Sequence, residues 1–185
     1  MTNFVCMLYS FLHRALRCGV VVVAWLIMGC ISDGRETSEQ TTLVRVGQSA
    51  PDFTVEMLDG EDIRLRDLRG GVVMLTFWDS ECPDCRSEMA VAQERIVERM
   101  KVAGVHYLPI FRGYERQAVA DFCASKGYTF PVGLDPRKAI YNLYATKYVP
   151  RTFLIDQQGV IRYIYVEYDL STLDEILASA EALAR

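Results

Sequence analysis

The strongest constraint on how this chain folds is the run Val72-Val73-Met74-Leu75-Thr76-Phe77-Trp78, which contains no charge and a single hydroxyl. Its β-branched and aromatic side chains suit a pleated strand. A half-exposed strand would alternate apolar and polar residues, but this run is apolar at almost every place. It therefore predicts a central strand covered on both faces, as in α/β folds. Three residues further on stands Cys82-Pro83-Asp84-Cys85, and a helical stretch follows to about Lys101. In that stretch Met89, Ala92, Ile96 and Met100 are spaced to share one face.

The rest of the folded part repeats this alternation. Asp52 to Leu58, the turn Asp59-Gly60, and Ile63 with Leu65 predict a β-hairpin. Val105 to Phe111 predicts a second buried strand, and Glu115 to Lys126 a helix ended by Gly127. A short strand is expected at Phe130 to Leu134 and a helix from about Pro136 to Tyr144. Thr152 to Ile155 and Val160 to Val166 read as strands joined at Gln158-Gly159, with a closing helix over Leu170 to Ala184. Apolar strands alternating with helices imply an α/β domain whose central mixed β-sheet is flanked by helices, with an N-terminal β-hairpin extension.

The 185 residues suffice for one domain with appendages. Gly19 to Gly29 is uncharged and mostly aliphatic, and His13, Arg14 and Arg17 precede it. That pattern matches the apolar core of a signal peptide and is shorter than the roughly 20 residues of a membrane span. The run ends at Gly29-Cys30, similar to a bacterial lipoprotein cleavage box in which the cysteine is lipidated. The expected organisation is a leader over 1–29, a flexible polar tether over 30–42 and a folded domain over 43–185. An uncleaved hydrophobic anchor is the competing reading; both place the domain extracytoplasmically, on the periplasmic side of a membrane. Setting aside Arg14 and Arg17, 18 basic residues face 24 acidic ones, a balance of −6. That gives no basic footprint for nucleic acid.

Cys82 and Cys85 carry the chemistry. At a strand-to-helix junction the first sulfur meets free helix N–H groups and the positive end of the helix dipole. Two intervening residues bring the second sulfur within disulfide reach, so one thiol attacks a substrate disulfide and the other resolves the mixed disulfide. Pro83 suits the first helical turn. A zinc site would want four ligands, whereas the mature region holds one C-x-x-C, His106 and a distant Cys123. Haem attachment would need histidine after Cys85, where Arg86 stands. No metal or other cofactor is expected beyond the redox-active Cys82–Cys85 disulfide. Cys123 reads as a core residue, and His106 as structural.

Phe77-Trp78, the C-x-x-C, Glu88-Met89 and Val149-Pro150 before Thr152-Phe153-Leu154-Ile155-Asp156 resemble the thioredoxin superfamily. More narrowly, with Val46-Gly47-Gln48-Ser49-Ala50-Pro51-Asp52-Phe53, they resemble the membrane-tethered TlpA/ResA-type reductases and their peroxiredoxin relatives (AhpC/TSA-Redoxin-like). The resemblance implies a thioredoxin-like fold with Cys82 as nucleophile, Cys85 as resolving thiol and Pro150 as a cis-proline. Val149, Trp78 and Pro83 would contact the substrate, and Glu88 would shuttle protons to Cys85 if it is buried; a solvated Glu88 is the equal alternative. The partners implied are a substrate protein with a disulfide, an upstream membrane thiol donor, and the membrane itself through lipidated Cys30.

The sequence departs from that pattern in three places. Glu81 precedes the first cysteine where tryptophan is common, Arg151 follows the proline, and thioredoxin's buried aspartate would align with Thr76. Asp79, Glu81 and Asp84 surround Cys82, with Arg86 the single opposing charge, a pattern that disfavours a further anion. It predicts a reducing couple, nearer the roughly −270 mV of thioredoxin than the roughly −120 mV of DsbA. Two other functions compete. A peroxiredoxin-type thiol peroxidase is disfavoured by Leu75 and Asp79 at places where that family uses other residues. The second is a non-catalytic lipoprotein binding module on the same fold.

Overall fold

Strand β3 (Val72–Trp78) is buried at all seven positions, as its composition requires, and the sheet is assembled around it. The computed structural model describes residues 36–185. The other strands are β1 (Thr54–Met57), β2 (Asp62–Arg64), β4 (Val105–Arg112), β5 (Gly133–Asp135), β6 (Arg151–Ile155) and β7 (Ile161–Val166). They form one mixed sheet in the order β2-β1-β5-β4-β3-β6-β7. β3 runs parallel to β4 and antiparallel to β6, setting Trp78 beside Phe111 and Thr76 beside Thr152. The β1–β2 hairpin turns at Asp59-Gly60 as expected, and β1 joins the sheet through β5.

Alternation along β3 sends successive side chains to opposite faces. Phe77 packs among Tyr141, Tyr144 and Phe153, with ring centroids 5.2, 5.8 and 6.2 Å away. Trp78 instead meets Phe111 at 6.0 Å and Phe130 at 5.8 Å. Helix α1 (Pro83–Val91) passes through a widened π segment (Ala92–Val97) into α2 (Glu98–Ala103), which Gly104 ends in the left-handed conformation. Sequence spacing implied one uninterrupted helix here. The π segment interrupts it, yet Met89, Ala92, Ile96 and Met100 all remain fully buried. Helix α3 (Arg116–Lys126) ends at Gly127, and α5 (Leu170–Leu183) closes the chain with Asp169 capping its first turn. An Arg99–Glu181 ion pair joins α2 to α5.

Two expectations change. The helix foreseen from Pro136 is confined to α4 (Tyr141–Tyr144). Lys138 takes φ 56°, which a continuing right-handed helix does not allow. Asp135 instead accepts from the Tyr141 N–H at 2.8 Å, steering the chain into the shorter helix. The compact unit also begins at Thr37 rather than at Leu43. Thr41 is fully buried, its carbonyl accepts from the Thr146 N–H, and the Leu43 N–H donates to Tyr144. The physical reason is Arg151, whose buried guanidinium donates to the hydroxyls of Thr41 and Thr42 and to the carbonyls of Lys147 and Tyr148. The leader, Cys30 and the start of the tether lie outside the described residues.

Phe153 touches both Phe77 and, at 5.0 Å, Tyr144. Phe153→Ala is expected to cost about 3–5 kcal/mol of stability, read as a lower urea midpoint with an unchanged slope.

Candidate active site

Cys82 occupies the N-cap of α1 with extended backbone, and Pro83 fills the first helical position, where no N–H partner is needed. The Cys82 Sγ accepts from the Cys85 N–H at 3.4 Å, so the first sulfur lies at the mouth of the helix. Its thiol donates to the carbonyl of Val149 at 3.3 Å. The Val149–Pro150 bond is cis. Both cysteines are thiols, Cys82 partly exposed and Cys85 buried. One sulfur is therefore open to a partner while the other waits behind it. Burial pushes the Cys85 thiol far above its ordinary range, and the proximity of Cys82 and Glu88 adds to this.

Glu88 is one helical turn beyond Cys85, on the same face of α1. It is 2 % exposed. The buried alternative for this residue therefore holds, and the solvated one falls. The Trp78 indole N–H and the Tyr168 hydroxyl both donate to Glu88 Oε2, each at 2.9 Å. Oε1 has no hydrogen-bond partner among the described residues, nor has the hydroxyl of Tyr107. Burial raises the Glu88 carboxyl to about 7, against the opposing pull of its two donors. The two phenols Tyr107 and Tyr168 are raised well above their ordinary value, first by burial and then by Glu88's charge. The site thus holds a carboxyl poised at neutral pH beside a thiol that stays protonated at rest.

The charges around Cys82 differ from the sequence count. Asp79 accepts from the Tyr114 hydroxyl at 2.6 Å and from the Glu81 N–H at 3.0 Å. The guanidinium of Arg112 lies 3.6 Å from its other oxygen. Arg112, on β4, therefore opposes Asp79 alongside Arg86, whose own guanidinium donates to the Ser80 carbonyl. Only Glu81 and Asp84 remain as exposed carboxylates near the motif, which weakens the charge argument for a reducing couple.

Of the residues foreseen for substrate contact, Pro83 is exposed and Val149 offers its carbonyl beside Cys82. Trp78 changes role: it is fully buried and spends its N–H on Glu88, so it faces the interior. Cys123 is buried as expected of a core residue, and His106 is exposed. Sequence reading missed Tyr107, Arg112 and Tyr168. Tyr168 belonged to a tyrosine-rich stretch assigned to strand cover, and nothing local distinguishes it from Tyr163, which is exposed.

The dithiol thus sits at a helix N-terminus, with Cys82 against the Val149 carbonyl that precedes the cis bond to Pro150. Residues 46–164 match the profile of the AhpC/TSA family. The chain belongs to that family. Within it, the thiol-disulfide oxidoreductase ResA of Geobacillus kaustophilus is 37% identical over 125 residues, 68% of this chain and 71% of that protein. ResA of Bacillus subtilis is 30% identical over 151 residues, 79% of this chain and 80% of its own. Among solved structures, a candidate protein disulfide isomerase from Bacteroides thetaiotaomicron superposes with a TM-score of 0.72 at 34% identity. That match covers 78% of this chain and 92% of the other. This AhpC/TSA member has a thioredoxin-like fold and is an enzyme, a thiol–disulfide oxidoreductase of the ResA/TlpA type.

A thiol must be reachable to react quickly with alkylating agents, and of the three described cysteines only Cys82 is not buried. Brief iodoacetamide treatment of the reduced protein near pH 7.5 is expected to label Cys82, leaving Cys85 and Cys123 unlabelled until denaturant is added. Peptide mapping reads the outcome, and labelling of Cys85 at the rate of Cys82 would contradict the buried placement.

Proposed function

We propose that this enzyme reduces disulfides in proteins outside the cytoplasm, and that Glu88 is its proton carrier. The observation that carries the reading is the pairing of a partly exposed Cys82, set against the Val149 carbonyl, with a buried Cys85 beside Glu88. Cys82 attacks one sulfur of the substrate disulfide. That bond breaks, a mixed disulfide forms, and the departing thiolate takes a proton. Cys85 then transfers its proton to the Glu88 carboxylate and attacks the Cys82 sulfur. The second substrate thiol leaves, and the enzyme becomes the Cys82–Cys85 disulfide. An upstream dithiol donor reverses this oxidation.

The reducing direction is supported by the burial of Cys85, which withholds thiolate stabilisation from the dithiol form; such stabilisation is what makes a strong oxidant of this fold. The extracytoplasmic setting rests on the leader over 1–29 and on Cys30 as the lipidated residue. The Val149 carbonyl beside Pro150, which faces Cys82, suits an extended substrate segment.

Cys85→Ser removes the resolving thiol, so mixed disulfides on Cys82 are expected to accumulate with oxidised partner proteins and to vanish when the partners are reduced beforehand. Absence of any dithiothreitol-sensitive adduct would sink the reading. Glu88 acts as a base only when ionised, so the resolving step is expected to speed up as pH rises through about 7. In Glu88→Gln that inflection disappears and the step slows about 100-fold, measured by stopped-flow release of the second thiol.

A further inference from the structure

Glu88 is one end of a longer buried chain. Tyr168 donates to Glu88 Oε2. The Thr152 Oγ1 lies 2.7 Å from the Tyr168 hydroxyl, and the Thr76 Oγ1 lies 2.7 Å from that of Thr152. The three hydroxyls come from β3, β6 and the loop before α5, so the link exists only in the folded sheet. Thr76 and Thr152 are fully buried and Tyr168 is 6% exposed.

Each hydroxyl has one proton to give. An ionised Glu88 can only accept, so the Tyr168 O–H donates to it and has no hydrogen left for Thr152. Thr152 must then donate to Tyr168, and Thr76 to Thr152. All three bonds point the same way, towards the carboxylate, and such aligned chains strengthen each member. The Trp78 N–H reaches the same Oε2. Two donors therefore saturate one carboxylate oxygen, while Oε1 has no partner among the described residues.

We propose that Thr76, Thr152 and Tyr168 are positioning residues, a one-directional hydroxyl chain that holds Glu88 Oε2 as a permanent acceptor and leaves Oε1 to exchange the proton with Cys85. This deepens the assignment of Glu88 as proton carrier and rests on it. The titratable groups that face Glu88 are Cys85 on its own helix, Tyr107 on β4 and Tyr168. None of them is cationic, so the stabilisation of the ionised form comes from the hydrogen bonds of Trp78 and of Tyr168, the end of the chain.

The test is an infrared pH titration of the reduced full-length protein. It follows the protonated carboxyl stretch of Glu88, assigned by its loss in Glu88→Gln. Tyr168→Phe keeps the ring but removes a donor, and the Glu88 midpoint is expected to rise by about one pH unit. Thr152→Val and Thr76→Val break the chain further out and are expected to raise it by about a few tenths of a unit. Thr152→Ser restores the hydroxyl and with it the wild-type midpoint. If Thr152→Val fails to fold, Thr76→Val carries the same comparison. Unchanged midpoints in Tyr168→Phe and the valine variants, or a serine variant that shifts as far as valine, would reduce the chain to packing and overturn the proposal. Full resolving rate in Glu88→Gln would instead remove Glu88 as proton carrier, an outcome the infrared midpoints do not depend on.

Discussion

A carboxyl group buried beneath a redox cysteine is the constraint around which the rest of this structure is arranged. Glu88 gives up its water, and the Trp78 N–H and Tyr168 hydroxyl replace only part of what is lost. Its carboxyl rises to about 7 from an ordinary value near 4.5. A carboxyl whose folded value lies above its unfolded one leaves the fold at full strength below the unfolded value. The fold is then weaker once pH has risen through the folded one. Over that window the penalty is of order 3 kcal/mol, a large share of the stability of a domain this size. A leucine at this position would escape the penalty and could not titrate, so stability alone gives no reason for an acid here.

The sheet provides what this carboxyl needs. β3 between β4 and β6 puts Trp78 above Glu88, sets Thr76 against Thr152, and brings Tyr168 back over the same face at the end of β7. The same β3–β6 adjacency sets the Val149 carbonyl against Cys82, so one strand pairing aligns both the partly exposed sulfur and the buried groups behind it. Arg151, the residue after the cis-proline, is fully buried and binds Thr41 and Thr42. The loop that faces Cys82 is thereby tied to the segment at Thr41 and Thr42.

Thr76 shows how a departure from a family pattern is absorbed. Thioredoxin's buried aspartate would stand there, and a threonine cannot take its place as an acid. In this chain Thr76 instead begins the run of hydroxyls that ends on Glu88. The buried carboxyl of this chain stands on the helix, and the strand position connects to it through hydroxyls.

The apolar run of β3, the hairpin turn at Asp59-Gly60, the helix end at Gly127, and the place of Cys82 and Cys85 at a strand-to-helix junction were all legible in the sequence. Each depends on neighbours close in the chain: strand composition, turn residues and helical spacing act over a few positions. The shorter α4, the buried Thr41 and the partners of Asp79 were not legible. The first arises from Lys138's left-handed backbone, which no local residue pattern signals; the other two arise from Arg151 and Arg112, through contacts made across the fold. Glu88 marks the boundary most clearly. Its spacing of three from Cys85 put it on the thiol's face of α1, but the same spacing fits a solvated acid equally well. Only the packing of β3, β4 and the loop before α5 against that face buried it and delivered Trp78, Tyr107 and Tyr168. A residue's desolvation is a property of everything packed around it, and here that packing is contributed by segments up to 80 positions away.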